Sequence, residues 1–348
     1  MLSLYLKYIY SAKKYMSFVS VKLLLLMGLI LIYSSVGFYA VEYDEYAKKP
    51  ITFLDSLWWS LVSMTTVGYG DLYPKTLAGR FLIGLPTMVV GISILGYILS
   101  EVAAKLLESK SRRARGMLTT KYNDHIVIIN YNDLNRVQQI IDELQTDLKT
   151  KDLSIVLIDE DLPELPKELD DVDIFFIKGN PSHKDVLQRA NIINSKHILI
   201  LAYDPNSSSS DDKNLGITLM IRTISSNLPI ICECIDSQKI NLLEAAGANS
   251  VICITEFTTN VMIQELMDPG TKEVIYDLTT NTFGQQIYVI NLIHAKSIKE
   301  LREYFSSNGY IFIGVKQGKS VHLNPDDDYE VFENDQIILI GSERPKDI

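Results

Sequence analysis

The 348-residue sequence is poor in cysteine, with three, and poor in positive charge: 33 lysines and arginines stand against 43 aspartates and glutamates, for a formal net charge of −10. A general nucleic-acid-binding protein needs a basic face, so this balance argues against that class and no nucleic-acid partner is expected. Cys232, Cys234 and Cys253 are too few, and odd in number, for a disulfide framework, which indicates reduced thiols in a cytosolic compartment. The Cys-x-Cys pair has no evident partner ligands for a metal.

Two other patterns are missing. No apolar span carries a series of arginines, which excludes a voltage sensor. The turn after the first strand predicted in the polar half lacks the Gly-x-Gly-x-x-Gly pattern of dinucleotide sites, because Asn130, Asn132 and Asn135 fill the three glycine positions. Asparagine tolerates a left-handed backbone but places a side chain where a pyrophosphate must approach. Ordinary NAD binding is therefore not expected.

Long apolar runs are present, all between residues 17 and 106. Leu23–Val41 and Phe81–Ser100 contain no charge, and each is long enough as a helix to cross the hydrocarbon core. We predict spans at about 19–41 and 79–106, within a domain at 17–107. A signal peptide is disfavoured for the first span, because no cleavage site is evident and the second span follows closely.

Positive charge predicts the orientation of the spans. Lysines precede the first span, lysines and arginines follow the second, and the segment between them is mixed in charge. Both termini should therefore face the cytoplasm. Residues 1–16, with four tyrosines among lysines, suit a helix at the lipid interface, and an irregular tail is the alternative.

A short apolar stretch lies between the two spans. Residues 53–65 are helix-compatible but too few to cross the membrane, so they predict a re-entrant helix. The chain must return through the irregular segment 66–70, and irregular backbone at membrane depth is tolerated only where it lines a cavity. The glycines at 68 and 70 permit backbone angles that turn successive carbonyls the same way.

The stretch Thr65–Asp71, TTVGYGD, resembles the selectivity filter of potassium channels. The resemblance implies that the carbonyls of Thr66, Val67, Gly68 and Tyr69, together with the Thr66 hydroxyl, bind potassium ions. It also implies a homotetramer, because each chain supplies one wall of the pore.

The same resemblance assigns roles around the filter. Trp58, Trp59 and Tyr69 would brace it, and Asp71 would lie at the outer mouth. Val62 stands where some bacterial channels carry a glutamate that pairs with this aspartate, so we expect Asp71 to lack that partner.

The second span contains Pro86 and Gly91. A proline removes a helical hydrogen bond and a glycine lowers the cost of bending, which predicts a hinge near 86–91. Helix packing through small residues is an equally good interpretation.

The polar half alternates strand and helix patterns. The strands are predicted at 125–130, 154–159, 173–178, 197–202, 229–234 and 250–254, and the helices at 133–149, 182–190, 214–226, 237–247 and 256–268. Continuous apolar runs between amphipathic helices predict a doubly wound, Rossmann-like parallel sheet with ligands at the carboxyl ends of its strands. The loop 203–214 is polar and is predicted to be mobile.

The segment 178–202 (KGNPSHKDVLQRANIINSKHILILA) resembles the regulator-of-potassium-conductance (RCK) domain, and 285–342 resembles that family's small C-terminal subdomain. The resemblance implies a linker at 108–122, an α/β RCK domain at 123–255, a helical dimerisation region at 256–284 and an α+β subdomain at 285–348. The chain resembles a two-span prokaryotic potassium channel with a ligand-sensing ring, like the calcium-gated archaeal channel. It should then lie in the inner (plasma) membrane. Whether separate copies of the RCK domain complete an eight-member ring is left open. Such copies could arise from an internal translation start at Met117.

Neither typical regulatory site is complete. Asp159 fits the acid that binds a ribose, although a strand-end surface acid is as good an interpretation. In the calcium-site pattern of the family, Asn180 replaces the aspartate of a Gly-Asp-Pro turn, and Ile235 replaces one of two glutamates, which leaves Glu233. A nucleotide bound differently, or a divalent cation, remains the expected ligand. The acidic clusters at 211–212 and 326–328 are better explained as solvated turn charges than as metal ligands.

Three functions account for these features. The first, a ligand-gated potassium channel, uses all of them. A membrane-anchored NAD-dependent oxidoreductase lacks intact glycines and any evident His–acid pair among five scattered histidines. A regulatory subunit of a potassium transporter predicts a chain without spans. We therefore expect a channel and not an enzyme.

Overall fold

The computed structural model describes residues 18–169, 172–294 and 296–347. The chain forms two compact units, the first ending at Lys110 and the second beginning at Ser111. The segment 1–16, predicted to lie at the lipid interface, falls outside the described residues.

The first unit is helical. Its elements are α1 (Phe18–Glu42), a short 3-10 turn (Asp44–Tyr46), α2 (Phe53–Met64), a π-helical segment (Gly79–Gly84) and α3 (Leu85–Ala114), whose last turn belongs to the second unit. Two helical runs, Leu25–Glu42 and Gly79–Ala114, are long and apolar enough to cross a membrane. The two apolar helices predicted from the sequence are confirmed, and α2 is the short helix between them.

A capping box fixes the start of α2. The Thr52 hydroxyl accepts a hydrogen bond from the Asp55 N–H at 3.2 Å, and the Asp55 carboxylate accepts one from the Thr52 N–H at 2.7 Å. Two backbone donors that a helix start leaves unpaired are satisfied in this way. At the other end, the Thr65 hydroxyl donates to the Leu61 carbonyl at 2.7 Å, and the chain then leaves the helix.

Pro86 shapes the beginning of α3. A proline has no N–H to donate, so it leaves the carbonyl of Leu82, four residues earlier, without its helical partner. The hydroxyl of Tyr33 on α1 donates to this carbonyl at 2.5 Å. The π-helical turn ends just before the proline, and α3 then continues to Ala114. The hinge near 86–91 stays a prediction. Tyr33 of α1 contacts the chain just before it.

Gly91 permits a close helix contact. A Cβ atom at this position would lie 2.7 Å from the Cα of Met64 and 3.0 Å from its carbonyl oxygen. The missing side chain therefore lets the end of α2 pack directly on α3. Of the two interpretations of Gly91, the structure shows helix packing through a small residue.

The second unit contains a six-stranded parallel sheet with the order β3-β2-β1-β4-β5-β6. The strands are β1 (His125–Ile129), β2 (Ile155–Asp159), β3 (Ile174–Lys178), β4 (Ser195–Ile200), β5 (Ile230–Cys234) and β6 (Ser250–Cys253). The order reverses between β1 and β4, and a cleft opens there at the carboxyl ends of the strands. The predicted doubly wound parallel sheet is confirmed.

Helices cover both faces of this sheet. One core lies under α4 (Leu134–Thr146) and includes Val137 and Ile141. The other lies under α5 (Lys184–Arg189), α6 (Ser209–Ile224) and α7 (Ile240–Ala245). β1 and β2 are buried along their whole length, which explains their continuous apolar sequences.

The predicted helix bounds need correction at several ends. α4, α5 and α7 are shorter than predicted, and α6 begins at Ser209 rather than 214. Half of the loop 203–214, predicted to be mobile, is therefore helical. Buried side chains hold this turn in place: the Ser210 hydroxyl bonds to the Asp204 backbone at 2.8 Å, and the Asp211 carboxylate accepts from the N–H groups of Ile235 and Asp236 at 2.9 and 3.0 Å.

The chain continues through α8 (Ile254–Met267) and α9 (Thr271–Thr279) into a small α+β subdomain. Its strands β7 (Gln286–Asn291), β8 (Ile311–Gln317), β9 (Ser320–Leu323) and β10 (Gln336–Gly341) form an antiparallel sheet with the order β7-β10-β8-β9. One face packs on α10 (Ile298–Ser307). An ion pair between Arg344 and Asp147, with N and O 2.8 Å apart, ties this subdomain to the end of α4.

His125, the first residue of β1, is fully buried. Its Nε2 lies 3.0 Å from the carbonyl oxygen of Ala190, and its Nδ1 has no hydrogen-bond partner among the described residues. Burial lowers the pKa of His125 below its ordinary value, although the neighbouring carbonyl groups and Asp124 oppose that shift. A neutral imidazole is therefore part of the folded state.

This burial predicts a loss of stability in acid. As the pH falls through the unfolded value of about 6.5, the unfolded chain takes up a proton that the folded chain does not, so the contribution of His125 is complete above that pH and declines below it. His125→Gln should flatten the acid side of a plot of unfolding temperature against pH, measured on the full chain in detergent. His322→Gln, at an exposed position, is the control, and equal acid slopes for the wild type and His125→Gln would contradict the assignment.

Candidate functional site

The segment after α2 has an unusual backbone. Thr66, Gly68 and Gly70 have φ angles of +61°, +59° and +74°, whereas Val67 and Tyr69 between them do not have positive φ. Alternation between left-handed and ordinary conformations turns successive carbonyl groups toward the same side. Glycine adopts the left-handed conformation without strain, and Thr66 is the one residue with a Cβ that adopts it here.

Three backbone amides of this segment donate hydrogen bonds to carbonyls at the end of α2. The N–H groups of Val67 and Gly68 both donate to the Val62 carbonyl, at 3.0 and 3.3 Å, and Thr66 N–H donates to Ser63 at 3.2 Å. The carbonyls of residues 66–69 accept no hydrogen bond from another described residue. Four consecutive carbonyl oxygens are thus left free to bind a cation.

Two aromatic side chains brace this backbone. Trp58 donates its indole N–H to an Asp71 carboxylate oxygen at 3.0 Å, and its ring stacks on Tyr69 with 5.8 Å between centroids. Asp71, expected to lack a glutamate partner, is therefore held by tryptophan. Within its own chain, the ring of Trp59 stacks on Phe38 of α1 at 4.2 Å instead, so its bracing role stays a prediction.

Glu42, the last residue of α1, has a structural role that was not predicted from the sequence. Its buried carboxylate accepts hydrogen bonds from the N–H groups of Lys75 and Thr76, at 2.9 and 3.1 Å, and from the Thr76 hydroxyl at 2.6 Å. It thereby fixes the loop just before the π-helical segment that leads into α3. An acid placed directly at the end of a 19-residue uncharged run was the available signal, but its partners lie more than 30 residues away.

The second candidate site is the cleft between β1 and β4. Asn130 follows β1 with φ of +72°, so it adopts the conformation that the first glycine of a dinucleotide motif supplies. Its side-chain amide is buried and donates to the Leu201 carbonyl at 2.8 Å and to Asn214 at 3.2 Å. The asparagine therefore joins β1 to the chain after β4 with the side chain that glycine lacks.

Asp159, at the end of β2, is buried, and both of its carboxylate oxygens accept hydrogen bonds from backbone amides. One carboxylate oxygen accepts from the Tyr131 N–H at 2.8 Å, and the other accepts from the N–H groups of Asp161 and Leu162 at 2.8 and 2.7 Å. These three bonds shape the turns after β1 and β2. A ribose hydroxyl would have to compete with them.

Glu233 on β5 is also engaged within the chain. It accepts from the Ala202 N–H at 2.8 Å and pairs with the guanidinium of Arg136, which extends from the first turn of α4. Burial raises the pKa of Glu233 above its ordinary value, and the Ala202 N–H and Arg136 oppose that rise. A divalent cation at Glu233 would have to displace Arg136.

Of the remaining residues predicted for the ligand cleft, only Asn180 lines the same cavity as Asn130. Asn180 lines a cavity of about 60 Å³ together with Asn130, and the lining also includes Glu160, Tyr203 and Lys213. Asn132 donates to the Ala202 carbonyl at 3.0 Å, whereas Asn135 is exposed on the first turn of α4. Neither of these two belongs to the lining of the cavity.

The acidic clusters at 211–212 and 326–328 and the cysteines form no metal site in the described part of the chain. Asp212 pairs with Lys239 and Asp327 with Arg302, at 2.7 and 2.9 Å. All three cysteines are buried and free, and burial raises the pKa of Cys232 to about 12.

Two family models match the chain. An ion-channel model matches residues 24–108, and a model described as the calcium-activated potassium channel slowpoke-like RCK domain matches residues 121–232. The first match lies within the unit that contains the free carbonyls. The second covers most of the parallel sheet and its cleft.

Relatives match along most of their length. The chain is 26% identical over 334 residues to the putative potassium channel protein YugO of Bacillus subtilis, covering 95% of this chain and 99% of that protein. It is 23% identical over 311 residues to the calcium-gated potassium channel TvoK of Thermoplasma volcanium, covering 87% and 85%. A solved structure, the GsuK channel bound to NAD, is similar with a TM-score of 0.46 and 21% identity, covering 93% of this chain and 58% of that one.

The bond between Trp58 and Asp71 predicts a change in ion selectivity. Losing a hydrogen bond to a charged group costs about 1.5–3 kcal/mol, so Trp58→Phe should loosen the segment 66–70 and lower the ratio of rubidium to sodium uptake by on the order of tenfold. Uptake is measured in proteoliposomes that contain the purified full chain. Trp59→Phe is the matched control, because Trp59 stacks on Phe38 instead, and equal ratios in the two variants would refute the role of Trp58.

Proposed function

Since the chain is a two-span potassium-channel subunit that carries an RCK domain, we propose that four copies surround one pore lined by residues 66–69. The carbonyls of Thr66, Val67, Gly68 and Tyr69, with the Thr66 hydroxyl, would replace the hydration shell of a potassium ion. One observation carries this proposal: these four carbonyls accept no hydrogen bond from described residues, while the amides of residues 66–68 donate to carbonyls of α2. The oxygens are therefore in place before an ion arrives.

We further propose the inner (plasma) membrane of a prokaryotic cell as the location, with both termini in the cytoplasm. The basic residues that follow the second span support this orientation, since Lys105, Lys110, Arg112, Arg113 and Arg115 are all exposed. The RCK domain then meets cytoplasmic ligands.

The cytoplasmic domains would pair through the two helices after the sheet. α8 and α9 have no buried residue, and they expose a series of large apolar side chains: Phe257, Met262, Ile263, Leu266, Met267, Val274 and Tyr276. An apolar surface of this extent is typical of an interface between protein chains. Pairing of this kind supports a closed ring, and four separate RCK copies would extend it to eight members.

A ligand in the ring would control the pore. We propose that it binds at the cleft beside β1 and β4, and that it acts by binding the open and closed rings with different affinity. A nucleotide and a divalent cation are the two candidates. The 60 Å³ cavity is smaller than nucleotide pockets, so a nucleotide requires an opened cleft, whereas a cation requires release of Glu233 from Arg136.

The left-handed glycine at 68 provides the test of the pore. Gly68→Ala adds a Cβ where φ is +59°, and an L-residue resists this conformation. Rubidium uptake should fall at least about a hundredfold, because the carbonyls on both sides of residue 68 would turn away from the ion path. Gly28→Ala is the control: φ is not positive there and no atom lies within 4 Å of the added Cβ. Wild-type-like uptake by Gly68→Ala would overturn the proposed pore.

The two ligand classes are separated by thermal unfolding of the full chain. A ligand at one hundred times its Kd stabilises the folded state by about 2.7 kcal/mol, so ADP or calcium should raise the unfolding temperature if it binds. Glu233→Gln should abolish a calcium response and leave an ADP response, and Asn180→Ala, which changes the lining of the cavity, should do the reverse. If neither ligand shifts the transition, the cleft does not bind these classes, whereas the pore proposal is tested separately by uptake.

A further inference from the structure

The segment between α3 and β1, residues 115–124, is fixed to the sheet along its length. α3 ends with Gly116 in a left-handed conformation, φ +65°, and the N–H groups of Gly116 and Met117 return to the carbonyls of Arg113 and Arg112 at 3.0 Å each. This arrangement closes the helix and turns the chain toward β3. The connection therefore begins with a defined direction.

Gly116 lies directly against β3, the edge strand of the sheet. Its carbonyl accepts the Lys178 N–H at 3.0 Å, and the Ala114 carbonyl accepts the Leu165 N–H at 2.8 Å. A Cβ at Gly116 would lie 2.8 Å from the Phe176 ring and 3.0 Å from the Ile177 carbonyl carbon. Only a glycine permits this approach.

Arg189, the last residue of α5, joins this segment to the sheet. Its guanidinium donates to three carbonyls: that of Lys178 at 3.0 Å, that of Leu118 at 3.3 Å, and that of Gly116. Its own carbonyl accepts the Thr120 N–H at 3.0 Å. Hydrogen bonds from a charged donor are stronger than neutral ones, and the planar guanidinium can hold several acceptors at once.

A second set of contacts continues toward β1. The Asn191 side chain donates to the Tyr122 carbonyl at 2.8 Å, and the Tyr122 hydroxyl donates to Asp173 at 2.8 Å. The Asp124 N–H donates to the Asn194 carbonyl at 2.8 Å. The segment 115–124 is thus bonded at both ends and in the middle, and Arg189 makes most of the bonds at its start.

We propose that Arg189 is a positioning residue for gating, because it keeps the segment 115–124 fixed so that movement of the RCK domain reaches α3. This inference depends on the proposed function, in which the RCK domain controls the pore. An unfixed chain of about ten residues can span any distance up to roughly 30 Å, so a released segment could change its length instead of passing on a displacement. Movement of the RCK domain would then no longer move α3.

Arg222 provides a matched control. It also donates to backbone carbonyls within the second unit, those of Gly247 at 2.9 Å, Leu228 at 2.8 Å and Ser225 at 3.3 Å, but none belongs to the segment 115–124. Arg189→Gln and Arg222→Gln therefore each remove a carbonyl-binding arginine and one trypsin site. Asn191→Ala serves as a second variant that weakens the far end of the segment.

Limited trypsin digestion of the full chain in detergent reports whether the segment is fixed. The exposed Arg115 and Lys121 are cleavage sites within it. Arg189→Gln should accelerate cleavage there at least about fivefold at a temperature well below unfolding, Asn191→Ala should do so to a smaller extent, and Arg222→Gln should match the wild type. Equal cleavage in Arg189→Gln and Arg222→Gln overturns the proposal.

Rubidium uptake reports the coupling. The change in uptake on adding calcium or ADP to proteoliposomes should shrink at least about threefold in Arg189→Gln and persist in Arg222→Gln, with the ligand-induced rise in unfolding temperature retained in both. A full uptake response in Arg189→Gln refutes the coupling role. If wild-type uptake ignores both ligands, ligand gating through the cleft fails, and the digestion contrast still decides whether Arg189 holds the segment.

Discussion

The pore unit depends on one constraint: the amides of residues 66–68 must be hydrogen-bonded, while the carbonyls of residues 66–69 accept no hydrogen bond from the described residues. The carbonyls of Val62 and Ser63 at the end of α2 accept the amides, and left-handed angles at alternate residues set the direction of the carbonyls. Trp58, Asp71 and Glu42 fix the chain on both sides of this segment. Each contact restricts backbone rotation, and a rigid ring of oxygens can favour one ion size over another.

Local patterns predicted much of this fold. Uncharged runs predicted the two apolar helices, and continuous apolar stretches predicted the parallel strands. The resemblance of residues 65–71 to a selectivity filter directed attention to the segment whose carbonyls are free in the described structure. The sequence did not predict the contacts that join distant segments, because no periodicity encodes them. Glu42 with Thr76, and Tyr33 with the Leu82 carbonyl, each unite residues more than 30 positions apart. The helical start of α6 within the polar stretch 203–214 was not predicted for the same reason, since Asp211 there binds the backbone that follows β5.

The cleft has the strand order of a dinucleotide-binding fold without the glycine pattern of a dinucleotide site. Asn130 supplies both the left-handed backbone of a glycine and a side chain that bridges two strands. Asp159 and Glu233, the acids that sequence comparison singles out, use their oxygens for backbone amides and, for Glu233, for Arg136. The sequence showed that the glycines of a dinucleotide site and two acids of the calcium-site pattern are replaced by other residues. The internal partners of Asp159 and Glu233 became visible only with the fold.

The three buried cysteines have a practical consequence for anyone who wants to watch this channel move. Alkylating reagents attack the thiolate, and burial raises the pKa of Cys232 and Cys234, so both remain protonated and inaccessible in neutral buffer. Cys253 is buried beside them on β6. A fluorophore or spin label attached to a cysteine introduced at an exposed position would therefore report from that position alone, without removal of the native thiols.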